Sequence, residues 1–308
     1  KQKKPKFWDY EKPNFIAYLL FPLASIIQIL NYIKKFSKKN KFKIKTICVG
    51  NIYIGGTGKT SLCIEINKIL KKKNIKSCFI KKFYKNQFDE QKILENNGKL
   101  FVSKKRSIAL NEAERENYKV AILDDGLQDE SIHYDKKFLC FNTLNWIGNG
   151  MTIPAGPLRN YLNCLKRYEN IFLNGNLENL EKIKNLILKI NPNIIFHIGE
   201  YKPVNIDEFN INDKYLVFSG IGNHQTFISM LKKNNFKLIK DLEFPDHYQY
   251  TQNDINQILF EANNLSCQTI TTEKDYYRLR DLKNEKIKYL KSELKIINEE
   301  KLISLIIK

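Results

Sequence analysis

The sequence predicts an α/β protein with a larger α/β/α domain followed by a smaller α/β domain. Residues 46–49 and 120–123 are short apolar segments with the length of buried strands, and apolar residues recur at helical spacing between 62 and 70. Further strand-like segments lie at 138–141, 171–173, 194–197, 215–218 and 269–272. Strands that alternate with helical segments in this way are typical of α/β domains.

The composition supports folded domains and narrows the classes of partner. The chain has 308 residues, of which 43% are hydrophobic and 12% aromatic, and its formal net charge is +19. Lysine is used along the whole chain, and no aromatic or helical readout element accompanies the charge, so we expect no nucleic-acid partner. Six cysteines are scattered without a Cys-x-x-Cys pair, which favours reduced thiols over a structural zinc site.

Residues 1–40 are predicted to form an amphipathic helix that associates with a membrane. Residues 14–33 contain no charged side chain, and a helix of that length reaches roughly the 30 Å thickness of a bilayer. Asn14, Tyr18, Ser25, Gln28 and Asn31 form a polar stripe, which favours a helix in the interface over one that spans the membrane or packs in a core. Lysines suited to anionic headgroups flank it: Lys1, Lys3, Lys4, Lys6, Lys34, Lys35, Lys38, Lys39, Lys41, Lys43 and Lys45.

A glycine-rich segment, 55–60, lies between the first predicted strand and the first helix that follows it. In this context backbone N–H groups and a helix N-terminus point at phosphates, so the segment predicts a P-loop for ATP. Lys59 would neutralise the β- and γ-phosphates, and the Thr60 hydroxyl would bind Mg²⁺. Tyr53 stands where the strict pattern has glycine, and the alternative is a turn that binds no nucleotide. The predicted ATP-binding residues are Gly55, Gly56, Thr57, Gly58, Lys59, Thr60 and Ser61.

Asp124 and Asp125 end the second apolar strand, about one crossover after the P-loop. A carboxylate at the end of a buried strand is suited to the Mg²⁺ of a bound nucleotide, so Thr60, Asp124 and Asp125 are the predicted metal residues. Two solvated turn aspartates are the alternative. Together the motifs predict a P-loop NTPase-like α/β/α domain over 41–200 and a smaller α/β domain over 201–308.

Several ordered motifs narrow the class further. They are 49–51 (VGN), 55–60 (GGTGKT), 124–128 (DDGLQ), 153–159 (IPAGPLR), 219–223 (SGIGN), 246–247 (DH) and 271–275 (TTEKD). In this order the chain resembles the tetraacyldisaccharide 4'-kinase family, from the N-terminal helix to about residue 279. The resemblance implies transfer of the ATP γ-phosphoryl group to the 4'-hydroxyl of a tetraacyl glucosamine disaccharide 1-phosphate in lipid A biosynthesis. It also implies a location at the cytoplasmic face of the bacterial inner membrane.

The resemblance further implies roles for individual residues. Asp89 and His247 would form the catalytic pair, in which Asp89 takes the proton of the attacking hydroxyl, and Lys59 would act on the phosphates. Arg106, Arg159 and Asn51 are the predicted substrate-binding residues; a solvated surface arginine is the alternative for the first two. The chain departs from the family pattern at Phe88 and Gln91, beside Asp89-Glu90, at 81–84, where Lys81-Lys82-Phe83-Tyr84 replaces Ser-Arg-Gly-Tyr, and at Asn160, which replaces an acid.

A second functional hypothesis is a membrane-associated P-loop ATPase that acts on protein partners. Those ATPases generally have a lysine immediately before the paired glycines of the P-loop, and this chain has Ile54 there. That difference favours the kinase.

Overall fold

The computed structural model describes residues 4–33, 39–84, 87–175, 177–282 and 284–307. Of the lysines predicted to flank the first helix, the following lie outside the described residues: Lys1, Lys3, Lys34, Lys35 and Lys38. The strands are β1 (Lys45–Gly50), β2 (Ser77–Lys82), β3 (Leu100–Ser103), β4 (Val120–Asp124), β5 (Lys136–Asn142), β6 (Asn170–Asn174), β7 (Ile195–Pro203), β8 (Lys214–Ser219), β9 (Lys237–Glu243), β10 (Gln268–Thr272), β11 (Ile287–Leu290) and β12 (Ser292–Ile297). The helices are α1 (Phe15–Ile33), α2 (Lys59–Lys72), α3 (Phe88–Asn97), α4 (Arg106–Arg115), α5 (Leu180–Ile190), α6 (His224–Lys233), α7 (Gln252–Asn264), α8 (Glu273–Leu279) and α9 (Glu299–Ile307).

The larger sheet has eight strands in the order β12-β7-β6-β5-β1-β4-β2-β3. All neighbours pair in parallel except β12, which runs antiparallel to β7. Side chains alternate between the two faces of a strand. Ile47 of β1 therefore packs with the core on the side of α2 and α9, and Cys48 with the core on the side of α4 and α5. This three-layered arrangement confirms the predicted α/β/α fold.

The smaller sheet has four parallel strands in the order β11-β10-β8-β9. Helix α6 covers one face through Phe227 and Leu231, and helix α7 covers the other through Ile255 and Ile258. The carboxyl end of β8 therefore leads into the loop 220–223, which faces the larger sheet. The second α/β unit predicted from the sequence is confirmed as part of the fold.

The chain returns to the larger sheet after the smaller one is complete. Ser292 of β12 pairs with Pro203 of β7, Leu294 joins the core that contains Phe172, and α9 adds Leu302 to the same core. The sheet order thus places 292–307 with the first unit, although the sequence predicted 201–308 as one domain. Local patterns do not reveal this pairing, because it joins segments that are distant in the chain. The division at residue 200 stays a prediction.

Helix α1 lies against the larger unit through small and polar side chains. Ala17 and Ala24 are buried, the Gln28 side-chain amide donates to the backbone oxygen of Arg159 at 3.0 Å, and Ser25 lies 3.3 Å from the Tyr161 hydroxyl. Large apolar side chains point outward instead, including Phe15, Leu19 and Ile29, which are 81%, 69% and 61% exposed. Among the residues that the structure describes, no helix combines the length and the hydropathy that crossing a membrane requires.

Because Leu294 is buried in the core of the larger sheet, we expect Leu294→Ala to lower the free energy of unfolding of that unit by about 2 to 4 kcal/mol. Hydrogen exchange should show weaker protection of the β6 and β7 amides. Ile297→Ala on the same strand is the matched control, since Ile297 is 43% exposed and should cost less than about 1 kcal/mol. Weaker protection confined to β8 and β10 would contradict the packing described above.

Candidate active site

The P-loop is held rigidly between β1 and α2. Gly58 has a φ of +79°, and a Cβ added there would lie 2.7 Å from Asn174 Nδ2, so only glycine fits. The Asn174 side chain donates to the Thr57 backbone oxygen at 2.8 Å, and Asn51 Nδ2 donates to Thr57 Oγ1 at 2.9 Å. The loop is therefore fixed from the ends of two strands, and no described side chain caps the N-terminus of α2. Free N–H groups in this geometry suit a phosphate.

Of the two predicted acidic residues, Asp124 is the last residue of β4, the neighbour of β1, and Asp125 follows it. Thr60 Oγ1 donates to Asp124 Oδ2 at 3.3 Å, and Lys59 Nζ lies 4.0 Å from Asp125 Oδ1. Asp124 Oδ1 is buried and has no hydrogen-bond partner among the described residues. Burial opposes the charge on Asp125, but Lys59 and Arg159 lower its pKa below the usual value. The structure thus brings the predicted metal residues together beside the P-loop.

The two predicted substrate arginines occupy different environments. Arg159 Nη1 lies 3.3 Å from Asp125 Oδ1 and donates to Gln128 Oε1 at 2.7 Å, at the edge of the site. Arg106 is buried beneath the turn after β4, where it donates to the Asp125 backbone oxygen at 2.6 Å. Asn51 is also buried, against the P-loop. The contacts of Arg106 and Asn51 support the surrounding loops, and their contact with substrate stays a prediction.

The structure brings Asp89 and His247 together from the two units. Asp89 lies in the first turn of α3, and its Oδ1 is 3.4 Å from His247 Nδ1. Its Oδ2 accepts hydrogen bonds from Arg278 Nη2 at 2.6 Å and Arg278 Nε at 3.1 Å. Burial opposes ionisation of Asp89, but the contact with His247 and the charge of Arg278 hold its pKa far below the usual range. Asp89 is therefore a buried, fully paired carboxylate.

Sequence reasoning missed several charged residues of the site. Arg278 was one, although it follows Asp275 by three residues on α8 and donates to it at 2.8 Å. Lys274 Nζ lies 3.7 Å from Glu90 Oε1. Lys81 was noted only as a departure at the end of β2, yet its Nζ lies between Asp124 and Glu90. A lysine directly after the apolar residues Phe79 and Ile80 of a predicted buried strand was the available signal.

A cavity of about 510 Å³ separates the P-loop from the smaller unit. One wall is formed by residues 54–61 of the larger unit, and the other includes Gly222, His247 and Lys274. At one end the walls touch, because a Cβ added to Gly222 would collide with the Gly56 backbone nitrogen. Ser61 also lines the cavity and is 3.1 Å from the Tyr201 hydroxyl. The phosphate loop and the imidazole therefore line the same cavity.

Because Arg278 compensates a buried carboxylate, we expect Arg278→Met to lower the free energy of unfolding at neutral pH by about 3 to 5 kcal/mol. Replacing Asp89 with Asn as well should recover part of the loss, which urea unfolding would measure. Lys184→Met is the matched control, since its partner Glu181 is exposed and the pair contributes less than about 1 kcal/mol. Equal losses of unfolding free energy in Arg278→Met and Lys184→Met would contradict the burial of the Arg278–Asp89 pair.

The lowered pKa of Asp89 also fixes a pH dependence. Its contribution to stability is complete above the usual aspartate pKa, about 4, and is lost as the pH falls below it. Asp89→Asn should therefore lose stability at neutral pH and show a flatter decline below pH 4 than the unmodified protein.

The chain is similar to known proteins along most of its length. The family model described as tetraacyldisaccharide-1-P 4'-kinase matches residues 15–308. A Pelagibacter ubique protein named tetraacyldisaccharide 4'-kinase is 58% identical over 308 residues, covering 100% of this chain and 98% of the relative. A Rickettsia canadensis protein of the same name is 34% identical, covering 96% of this chain and 93% of the relative.

Among solved structures, LpxK from Aquifex aeolicus in complex with ATP has the same fold, with a TM-score of 0.68 and 23% identity. The similarity covers 95% of this chain and 99% of that one. The match to the family model and the identity to full-length relatives together establish that the chain belongs to the tetraacyldisaccharide-1-P 4'-kinase family.

Proposed function

We propose that this protein transfers the γ-phosphoryl group of ATP to the 4'-hydroxyl of a tetraacyl glucosamine disaccharide 1-phosphate, a step of lipid A biosynthesis. The observation that carries the proposal is that the P-loop and His247 line one cavity between the two units. A kinase needs its phosphate cradle and its proton acceptor on opposite sides of the reacting hydroxyl, shielded from water. Membership of the family supplies the substrate class.

The P-loop residues 55–61 would hold ATP through their backbone amides, and Lys59 would supply a fixed positive charge to its phosphates. The residues beside the loop also fit Mg²⁺, which when bound would neutralise the phosphate oxygens. Asp124 offers a buried oxygen without a partner among the described residues, and Thr60 offers a hydroxyl. No group of three His, Cys, Asp or Glu side chains in the described ranges could hold a metal. This is compatible with Mg²⁺, because Mg²⁺ commonly binds only one or two protein side chains and takes water and phosphate oxygens as its other ligands.

The contacts of Asp89 and His247 favour His247 as the proton acceptor, although the family resemblance implied that role for Asp89. Both Asp89 oxygens are engaged, and the Arg278 charge makes this carboxylate a weak base. We place the imidazole proton on Nδ1, which is 3.4 Å from Asp89 Oδ1, because a carboxylate only accepts. Arg278 Nη2, which only donates, is also 3.4 Å from Nδ1, so this assignment requires the Asp89 contact to outweigh the Arg278 contact at the ring. Nε2 is then unprotonated and can accept the proton of the sugar hydroxyl.

The exposed apolar face of α1 suits insertion into the cytoplasmic leaflet of the bacterial inner membrane. The described lysines Lys6, Lys39, Lys41 and Lys43 near its ends would contact anionic headgroups, whereas Lys4 binds the Tyr53 hydroxyl. Gln28 of α1 is bonded to the backbone of Arg159, which lies at the edge of the site. A lipid substrate held at the surface would therefore be presented close to Asp125 and the P-loop.

The proposed reaction can be tested directly with γ-labelled ATP, Mg²⁺ and a lipid A disaccharide precursor in detergent. We expect label in the lipid, and Lys59→Ala should lower the rate at least about 10²-fold, because a fixed charge on the transferring group is lost. Lys72→Ala, an exposed lysine on the same helix, should have no effect. Label released only as free phosphate would favour the ATPase that acts on protein partners.

The catalytic pair should act as a unit. We expect His247→Ala and Asp89→Asn each to lower kcat by about 10² to 10⁴-fold. The kcat of the double variant should be close to that of the less active single variant. ATP affinity, measured by calorimetry, should change little because neither residue belongs to the P-loop. Additive losses would mean that the two residues act independently. A near-normal His247→Ala would assign the proton transfer to another group.

A further inference from the structure

Lys81 is a buried cation that the kinase mechanism above does not use. It lies in β2, is 2% exposed, and its Nζ is 2.5 Å from Asp124 Oδ2 and 2.7 Å from Glu90 Oε2. Both neighbours are carboxylates at ion-pair distance, so Lys81 is present as an ammonium group and joins the predicted metal residue to the first turn of α3.

The fold places this charge where it is. β2 pairs in parallel with β4, with Ile80 opposite Leu123, so Lys81 lies beside Asp124 at the carboxyl edge of the sheet. Lys82, one residue later, is only half-buried and lies 5.7 Å from the centre of the Tyr84 ring. Because side chains alternate along a strand, Lys81 and not Lys82 points toward Asp124 and Glu90.

The contacts of Lys81 limit what Asp124 can offer a metal. Lys81 and the Thr60 hydroxyl both bind Asp124 Oδ2, so Oδ1 is its one oxygen without a partner in the described part of the chain. Glu90 is held in the same way: its Oε2 contacts Lys81, and its Oε1 lies 3.7 Å from Lys274. Without Lys81, Asp124 would be a buried carboxylate with no ion-pair partner among the described residues, and half-buried Glu90 would keep Lys274 at 3.7 Å. Such an excess of negative charge beside Asp125 attracts a divalent cation.

We propose that Lys81 is a positioning residue that keeps this carboxylate cluster closed to free divalent cations, so that Mg²⁺ binds tightly only together with the phosphates of ATP. It does so by occupying the space between Asp124 and Glu90 with an ammonium group and by directing one Asp124 oxygen toward the P-loop. The inference rests on the proposed kinase function, since the metal concerned is that of its nucleotide. It adds that metal binding depends on the nucleotide because of one side chain in β2.

The test uses the full chain without ATP or lipid and measures binding of Mn²⁺, a probe for the Mg²⁺ site, by electron paramagnetic resonance. We expect weak binding to the unmodified protein and at least about tenfold tighter binding to Lys81→Met, because removing the ammonium takes one positive charge from the cluster and leaves Asp124 without its ion-pair partner. Asp124→Asn added to Lys81→Met should abolish the gain. The matched control, Lys82→Met, should bind Mn²⁺ as the unmodified protein does.

A purely structural lysine would lower stability when replaced but would leave Mn²⁺ affinity unchanged, and that result would overturn the proposal. Should Lys81→Met not fold, Lys81→Met/Glu90→Gln keeps the net charge of the cluster, and its Mn²⁺ affinity is compared with that of Glu90→Gln alone. Tighter binding in the double variant supports the role of Lys81, and equal binding overturns it. If the unmodified protein transfers no phosphate to the lipid, the proposed reaction is refuted. The Mn²⁺ measurement tests the role of Lys81 independently of that result.

Discussion

The parallel pairing of β1 with β4 is the constraint on which the site depends. Val49 lies opposite Asp124 in this ladder, so the strand that leads into the P-loop and the strand that carries the acid end at the same edge. Both strands are buried, and their position in the centre of the sheet fixes Thr60 within 3.3 Å of Asp124. A shift of one residue would reverse the faces of β4 and remove the acid from the nucleotide side.

Pairs of buried charges connect the carboxyl edge of the larger sheet to the smaller unit. Lys81 joins Asp124 to Glu90, and Arg278 joins Asp89 to the loop after β8 through the Gly220 backbone oxygen. A buried pair is costly to break because the remaining charge lacks water, so each link fixes the position of its neighbours. The geometry of the proposed catalytic pair, Asp89 and His247, thus depends on contacts made by both units.

Local patterns were sufficient for the elements whose signals lie within a few residues. The glycine-rich loop, the acid pair and the alternating strands and helices predicted the nucleotide site and the fold, because backbone conformation and strand burial are encoded nearby. Tyr53, which departs from the strict P-loop pattern, is accommodated by a hydrogen bond from Lys4 at 2.8 Å. The return of β12, the role of Arg278 and the burial of Arg106 could not be predicted, since each depends on partners far away in the sequence.

The antiparallel pairing of β12 with β7 has a mechanical consequence. Both covalent connections to the smaller sheet leave the larger one side by side, at Pro203 and Ser292, like two leaves of one hinge. A rotation about these two connections would separate Gly222 from Gly56 while leaving the strand pairs of both sheets intact. The same rotation would have to break the contacts of Asp89 with His247 and Arg278, so the charges that build the site also oppose its opening.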